Sequence, residues 1–225
     1  MLYIVSTPIG NLEDITYRAV RILQEVDGIA CEDTRTSGTL LNHYDIKKPL
    51  ISFHSHSGQA KTDKIIEQLQ QWQNIALISD AGTPGISDPW YILIKAAIEA
   101  GIEVVPVPWA TAFTTALVGS GMQMNHFLYL GFMPIKKWRK TLFESIVERR
   151  KTKVGGETVV VYESVHRIMK TLKEIEQYFG EDHYMVVGRE LTKKFEEFKR
   201  GTPAEIIEYF EKTPGKLKGE FVICF

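Results

Sequence analysis

Short apolar runs and amphipathic stretches take turns through the first half of the chain, and that alternation leaves few folds open. Residues 2–5, 28–31, 50–53, 75–78 and 103–105 read as strands. Between them, Ile15, Ala19, Ile22 and Leu23 share one helical face behind Asp14 as N-cap, Ile65, Ile66 and Leu69 mark a second helix, and Ile92, Leu93, Ala96 and Ala97 a third. Strands that alternate with helices predict a mostly parallel sheet covered on both faces. The pattern changes after about residue 122. Strands are expected at 127–131, 158–162 and 184–188, a basic helix at 138–150 and another helix at 165–179. The end pairs 195–200 with 220–225 around a short helix opened by Thr202 and Pro203. The expected fold class is α/β in two domains, residues 1–121 with a mostly parallel sheet and residues 122–225 with a mixed one.

Open α/β sheets bind ligands beyond the carboxyl ends of their strands. Here the segments STPIGNL (6–12), EDTRTS (32–37), HSHS (54–57), SDAGTPGISDP (79–89) and PVPWATA (106–112) follow the five strands. A single such segment is a turn; five on one edge of a sheet exceed what turn chemistry needs. Glycine lets backbone approach a ligand and proline fixes loop shape. Backbone groups can then bind an adenosine and a carboxylate without charged side chains. The longest loop, 79–89, is the leading candidate; the alternative is an elaborate helix entry capped by Ser87 or Asp88. No G-x-G-x-x-G follows the first strand and no G-x-x-x-x-G-K-[ST] occurs, which weakens dehydrogenase and phosphate-loop readings.

Charge bears on nucleic acid. With 27 basic and 28 acidic residues the net charge is -1, so the chain cannot hold RNA by bulk charge. A local patch is the remaining route. Lys136, Lys137, Arg139, Lys140, Arg149, Arg150, Lys151 and Lys153 face only Glu144 and Glu148 across 136–153. The patch either tracks a phosphate backbone, with Trp138 available to stack on a base, or is a solvated helix face. Glu32, Asp33 and Arg35 form either an ion pair at the domain edge or a ribose-orienting group. Glu163 and His166 follow a strand and can face the same cleft. His54 and His56 alternate, but spacing offers no third or fourth ligand, so no metal site is expected. Cys31 and Cys224 match no metal or redox spacing and read as buried thiols in a reducing compartment. The chain enters a strand at once, so neither a signal peptide nor a membrane span is expected, and the compartment is cytoplasmic.

Six segments in order, S-T-P-I-G-N-L-E-D-I-T, E-D-T-R-T-S, S-D-A-G-T-P-G-I-S-D-P, Y-E-S-V-H-R-I, G-R-E-L-T-K and K-G-E-F-V-I, span the chain. Together they resemble the ribosomal small-subunit ribose methyltransferase I family of the tetrapyrrole methylase superfamily. The resemblance implies S-adenosylmethionine in an interdomain cleft, a homodimer, and methyl transfer to a cytidine 2′-hydroxyl of 16S rRNA, free or in the small ribosomal subunit. It implies cofactor contacts from Pro8, Gly10, Asp80, Ala81, Gly82, Thr83, Pro84, Gly85, Ile86, Thr111 and Ala112, with Tyr162 and residues 188–191, Glu190 among them, closing the site. It implies RNA contacts from Asn11, Glu32, Asp33, Arg35, His166 and Arg167. The basic patch adds Lys136, Lys137, Arg139 and Lys140.

The chain departs from the family pattern at Trp109 and Trp138, where relatives usually carry glycine, and in the third loop, where relatives tend to show H-E-H-N-E. Trp109 stacks on an adenine, blocks the site, or is an accommodated packing change. A ribose hydroxyl must lose its proton during or after attack, and Asp33, Glu163 and His166 are the candidate bases. Two alternatives stand: a tetrapyrrole C-methyltransferase, which needs an open apolar trough, and a cofactor-free RNA-binding or assembly protein whose site Trp109 has filled.

Overall fold

A computed structural model describes residues 1–53, 59–71, 73–88, 90–108, 111–152 and 156–225. The expectations for His54, His56, Pro89, Trp109, Ala110 and Lys153 therefore lie outside the described residues. The first sheet holds β1 (Leu2–Val5), β2 (Gly28–Cys31), β3 (Leu50–Ser52), β4 (Ile75–Leu77) and β5 (Val104–Val107), all parallel, in the order β3-β2-β4-β1-β5. Side chains alternate across a strand. Leu2 and Ile4 pack with Ile65 and Leu69 of α3 (Gln59–Gln70) and Leu93 and Ala97 of α4 (Tyr91–Glu99). Val5 joins Ala19, Ile22 and Leu23 of α1 (Tyr17–Glu25) and Leu41 of α2 (Thr34–His43) in a separate core. Pro106 is tolerated in β5 because that strand is an edge.

One capping expectation is corrected. Thr16, not Asp14, caps α1, its hydroxyl accepting from the Ala19 amide at 2.9 Å. Asp14 instead ends a 3₁₀ turn, Leu12–Asp14, capped by Asn11.

The second sheet holds β6 (Phe127–Phe132), β7 (Thr158–Ser164), β8 (Met185–Arg189), β9 (Glu197–Gly201) and β10 (Glu220–Cys224), in the order β6-β7-β10-β8-β9. Only β6 and β7 pair in parallel. The helix α5 (Ala112–Ser120) packs Ala116 and Leu117 on Val160, Val186 and Val222. Residues of α6 (Arg139–Thr152), α7 (Ile168–Phe179) and α8 (Pro203–Lys212) join Val159, Val161 and Ile223 in another core. Thr202 opens α8 with a capping box to Glu205.

The expected pairing of the last two strands does not occur. Phe221, Val222, Ile223 and Cys224 are each at most 5% exposed, so β10 needs a central place and lies between β7 and β8. The sequence Glu197-Phe198-Lys199-Arg200-Gly201 is half-buried and polar, and it makes an edge.

The chain forms two compact units, Met1–Thr111 and Ala112–Phe225. The sequence placed the boundary at residues 121 and 122; α5 belongs with the second unit because its apolar residues pack on that unit's sheet. Among the described residues, no helix is long and apolar enough to cross a membrane.

Candidate functional site

In the first sheet β1 and β4 are neighbours, yet the chain leaves β1 toward β2 and leaves β4 toward β5, on the opposite side. Such a switch point is where open α/β sheets bind ligands. The two loops that start there are joined. Thr7 N donates to Gly82 O at 2.9 Å and Gly82 N to Thr7 O at 3.0 Å. Hydroxyls extend the tie: Thr7 Oγ1 donates to Ser79 O at 3.0 Å, Ser79 Oγ to Gly82 O at 3.1 Å, and Ser6 Oγ to Val107 O at 3.2 Å. Ser6 also meets Thr83 Oγ1 at 3.0 Å. The ends of β1, β4 and β5 are thus held by buried hydroxyls whose bonds are internal. Ser6, Thr7 and Ser79 were not singled out in the sequence, although a hydroxyl residue directly after an apolar strand is a visible signal.

The expected cofactor residues of the first unit lie on the loops that follow β1, β4 and β5. Pro8 and Pro84 are buried, while Gly10, Ala81 and Ile86 are exposed. Gly82 and Gly85 have φ of +81° and +90°, values that favour glycine. A Cβ on Gly82 would stand 3.4 Å from Ile9 Cγ2. Thr111 is buried after β5. These residues supply hydroxyls, backbone polar groups, an exposed apolar Ile86 and the Asp80 carboxylate. That set offers donors and acceptors suited to a neutral adenosine with a ribose diol. Asp88, also not singled out as a site residue, accepts from the Gly85 and Trp90 amides. Burial nevertheless pushes its carboxyl up to about 6.

The loop after β2 reaches the same cluster, since Asp33 N donates to Asp80 Oδ1 at 3.2 Å. Asp33 caps α2, accepting from Arg35 N at 2.8 Å, and pairs with Arg35 Nη2 at 2.7 Å. The Arg35 side chain and amide hold the Asp33 carboxyl at about 2. The guanidinium itself is 90% exposed. Glu32 is half-buried beside it. Asn11 is exposed, and its side chain accepts from Glu13 N at 3.1 Å.

In the second unit, Ala112 and Tyr162 pack against one apolar cluster, and Phe113 N donates to Tyr162 Oη at 3.2 Å. Burial raises the Tyr162 phenol, whose ring packs edge-on to Tyr129 and Phe132. Glu190 takes φ +51° and accepts from Glu220 N at 3.0 Å and Lys193 Nζ at 3.1 Å. Burial alone would raise its carboxyl; these donors outweigh it and hold the group below its usual range. His166 is exposed on the turn after β7.

Two expected site residues are placed elsewhere. Arg139 was expected on an RNA-facing surface and Glu163 as a base, but they are 4% and 1% exposed. Arg139 lies 3.5 Å from Glu163 and 2.6 Å from Glu174, and donates to Thr171 Oγ1 at 2.6 Å. Glu163 also accepts from Thr171 Oγ1 at 2.7 Å and pairs with Arg167 at 2.8 Å. Arg167 in turn donates to Met133 O at 2.7 Å, leaving its side chain 21% exposed. Buried charges persist only when paired and hydrogen-bonded, and this network meets both demands. The basic patch shrinks accordingly. Arg149 pairs with Glu157, and Arg150 lies over the rings of Phe179 and Phe225 at 4.8 and 5.8 Å. Lys136, Lys137 and Lys140 remain exposed.

A parallel α/β unit with ligand loops at a switch point, followed by a mixed-sheet unit, defines a tetrapyrrole-methylase type of fold. Solved structures share it: a cobalt precorrin-4 methyltransferase matches with a TM-score of 0.71 at 15% identity, covering 99% of this chain and 93% of that one. A diphthine synthase matches with a TM-score of 0.75 at 10% identity, covering 99% and 88%. The family model of tetrapyrrole (corrin/porphyrin) methylases matches residues 1–207. The ribosomal RNA small subunit methyltransferase I of Haemophilus influenzae is 48% identical over 99% of this chain and 77% of its own length. The protein of that name from Synechocystis is 47% identical over 99% and 77%. The chain therefore belongs to the tetrapyrrole methylase family, within the branch of the ribosomal RNA small subunit methyltransferase I proteins.

Proposed function

We propose that the protein is an S-adenosylmethionine-dependent methyltransferase of the small ribosomal subunit, acting on a cytidine 2′-hydroxyl of 16S rRNA. The observation that carries the reading is identity of 48% and 47%, over nearly the whole chain, to proteins named for methylating small-subunit rRNA. The hydroxyl-and-glycine rim at the β1–β4 switch point, with the Asp80 carboxylate on it, supports it. In this reading Pro8, Gly10, Asp80 through Ile86, Thr111, Ala112, Tyr162 and Glu190 hold the cofactor. Asn11, Glu32, Arg35, Lys136, Lys137, Lys140 and Arg167 meet the RNA. The protein works in the cytoplasm as a homodimer.

When bound, S-adenosylmethionine supplies an electrophilic methyl group on a sulfonium. The chain's own task is to orient the ribose, exclude water and receive a proton. As the oxygen–carbon bond forms, the O2′ proton must leave. Asp33 accepts it poorly, because its carboxyl is held at about 2. Glu163 is committed to Arg139 and Arg167, which leaves His166, exposed on its turn, as the remaining candidate.

The test is transfer of labelled methyl from S-adenosylmethionine to small ribosomal subunits lacking the modification, followed by nucleoside analysis. Label in 2′-O-methylcytidine is expected. Label in a base, or transfer only to a tetrapyrrole, overturns the substrate. Failure to bind S-adenosylmethionine by calorimetry overturns the activity. A monomer by light scattering overturns the dimer.

A further inference from the structure

The segment between β6 and α6 is tied at its base and bare at its tip. Arg139 Nη1 donates to Pro134 O at 2.8 Å, and Arg139 N donates to Lys136 O at 3.3 Å. Leu142 N donates to Trp138 O at 2.9 Å. The Arg139 side chain is fixed from inside by Glu163, Glu174 and Thr171. A buried cation thus clamps both ends of a short loop.

Outside the clamp, Trp138 is 66% exposed and Ile135 69%. Lys136 and Lys137 are exposed on the same loop, and Lys137 Nζ stands 5.3 Å from the Trp138 ring centroid. Trp138 has φ +68°, a conformation L side chains rarely adopt. Among the described residues, its ring joins none of the unit's apolar clusters. A large exposed ring on strained backbone, on a loop tied at its base, is not explained by core packing. Strain of this kind persists where surrounding structure fixes it, and it gathers at ligand-binding sites.

We propose that Trp138 is a stacking platform for one unpaired base of an RNA strand, with Lys136 and Lys137 taking the flanking phosphates. Residues 134–140 carry four cations and no carboxylate, and Glu163 and Glu174 neutralise the inward one, so the outward face is positive and aromatic. Aromatic stacking accepts any base, and lysines track phosphate without reading sequence. The platform therefore selects single-stranded over duplex RNA. The inference rests on the RNA-methyltransferase reading above and adds to it the residue that grips unpaired substrate.

The test uses the full chain with W138A, W138F, W138G and the double variant K136A/K137A. The probe is a fluorescein-labelled oligocytidylate strand, beside a hairpin duplex of the same length, followed by anisotropy at several salt concentrations. W138A should weaken single-strand binding about five- to hundred-fold and leave the salt slope unchanged. W138F should keep most of the affinity. K136A/K137A should lower the salt slope by about 0.7 per lysine. Because glycine accepts φ +68°, W138G should melt no lower than the wild type, so its loss of RNA binding cannot be ascribed to misfolding. Calorimetry with S-adenosylmethionine should read the same for all four. Wild-type affinity in W138A and W138G, or no wild-type preference for the single strand, overturns the proposal while leaving the methyltransferase reading intact. So does a loss in W138A confined to binding of anionic phospholipid vesicles, which makes the loop a membrane contact. Loss of S-adenosylmethionine binding by the wild type overturns the reading beneath it.

Discussion

The two units treat charge in opposite ways. The first unit ties its functional rim with buried hydroxyls and backbone, and leaves its conspicuous ion pair outside, with Arg35 90% exposed. The second unit draws charge inward, with Arg139 and Glu163 at most 4% exposed. The lesson is that charged motif residues are not uniformly chemical. In the Y-E-S-V-H-R-I segment, Glu163 is buried, Arg167 reaches it from a half-buried place, and His166 alone between them is exposed. In the first unit the uncharged residues build the rim. If the contrast is sound, the same kind of substitution should have unlike consequences in the two units.

The largest difference is expected at Arg139. Arg139→Met leaves Glu163 buried with Arg167 alone and strips a partner from Glu174. Breaking a buried network from one side costs about 3–5 kcal/mol. Urea denaturation should show it as a lower midpoint at unchanged slope. A loss below about 1 kcal/mol would put the guanidinium in the class of surface charges and end the contrast. A smaller effect belongs to Gly82→Ala in the first unit. The left-handed φ and the 3.4 Å approach to Ile9 should cost about 1–2 kcal/mol. S-adenosylmethionine affinity should fall further than that figure predicts, because the strained residue joins the two loops of the rim.

Acidification separates the units by sign. Burial, then the nearby Arg150 cation, lowers His183 of the second unit to about 4 from an ordinary 6.5. Between those values the unfolded chain holds a proton that the folded unit rejects, so stability falls as pH drops from about 6.5 to 4. Asp88 of the first unit stands at about 6 against an ordinary 3.8. There the folded unit holds the extra proton, so stability falls as pH rises from about 4 to 6. Both groups are only partly buried, so the slopes are modest. His183→Gln and Asp88→Asn should tilt the melting-temperature profile in opposite directions relative to wild type across this window. Parallel profiles would mean that one of the two sites is solvated.

How far the sequence carried depended on whether a feature was local. Alternation of strand and helix was enough for the parallel sheet, since each crossover needs only its own neighbours. The opening of α8 by Thr202 and Pro203 was likewise readable, being local to the start of the helix. The place of β10 was not, because pairing with β7 and β8 joins residues far apart in the chain; its apolar run was the visible hint of a central strand. Arg139 was misread because a cation inside a Lys-Lys-Trp-Arg-Lys run looks solvated, and its partners Glu163 and Glu174 arrive from β7 and α7. The segments after β1, β2, β4 and β5 were each legible as polar strand ends. The hydroxyl ties that hold three of them together were not, since each joins side chains to backbone brought close only by the sheet.

The smallest expected change in stability is also the most discriminating for function. Arg35→Ala removes a guanidinium that is 90% exposed, and surface pairs of this kind add little to stability. Asp33 keeps its cap, because the amide of residue 35 still donates to Oδ1. The melting midpoint should therefore barely move. The Asp33 carboxyl should rise from about 2 toward the usual range, since the Arg35 side chain is the largest cause of its depression. Under the proposed function, methyl transfer to ribosomal subunits should drop while S-adenosylmethionine affinity stays level, a split that a purely structural ion pair cannot produce. If the variant instead unfolds as readily as Arg139→Met, the first unit also relies on charge for its fold, and the opposition between the two units fails.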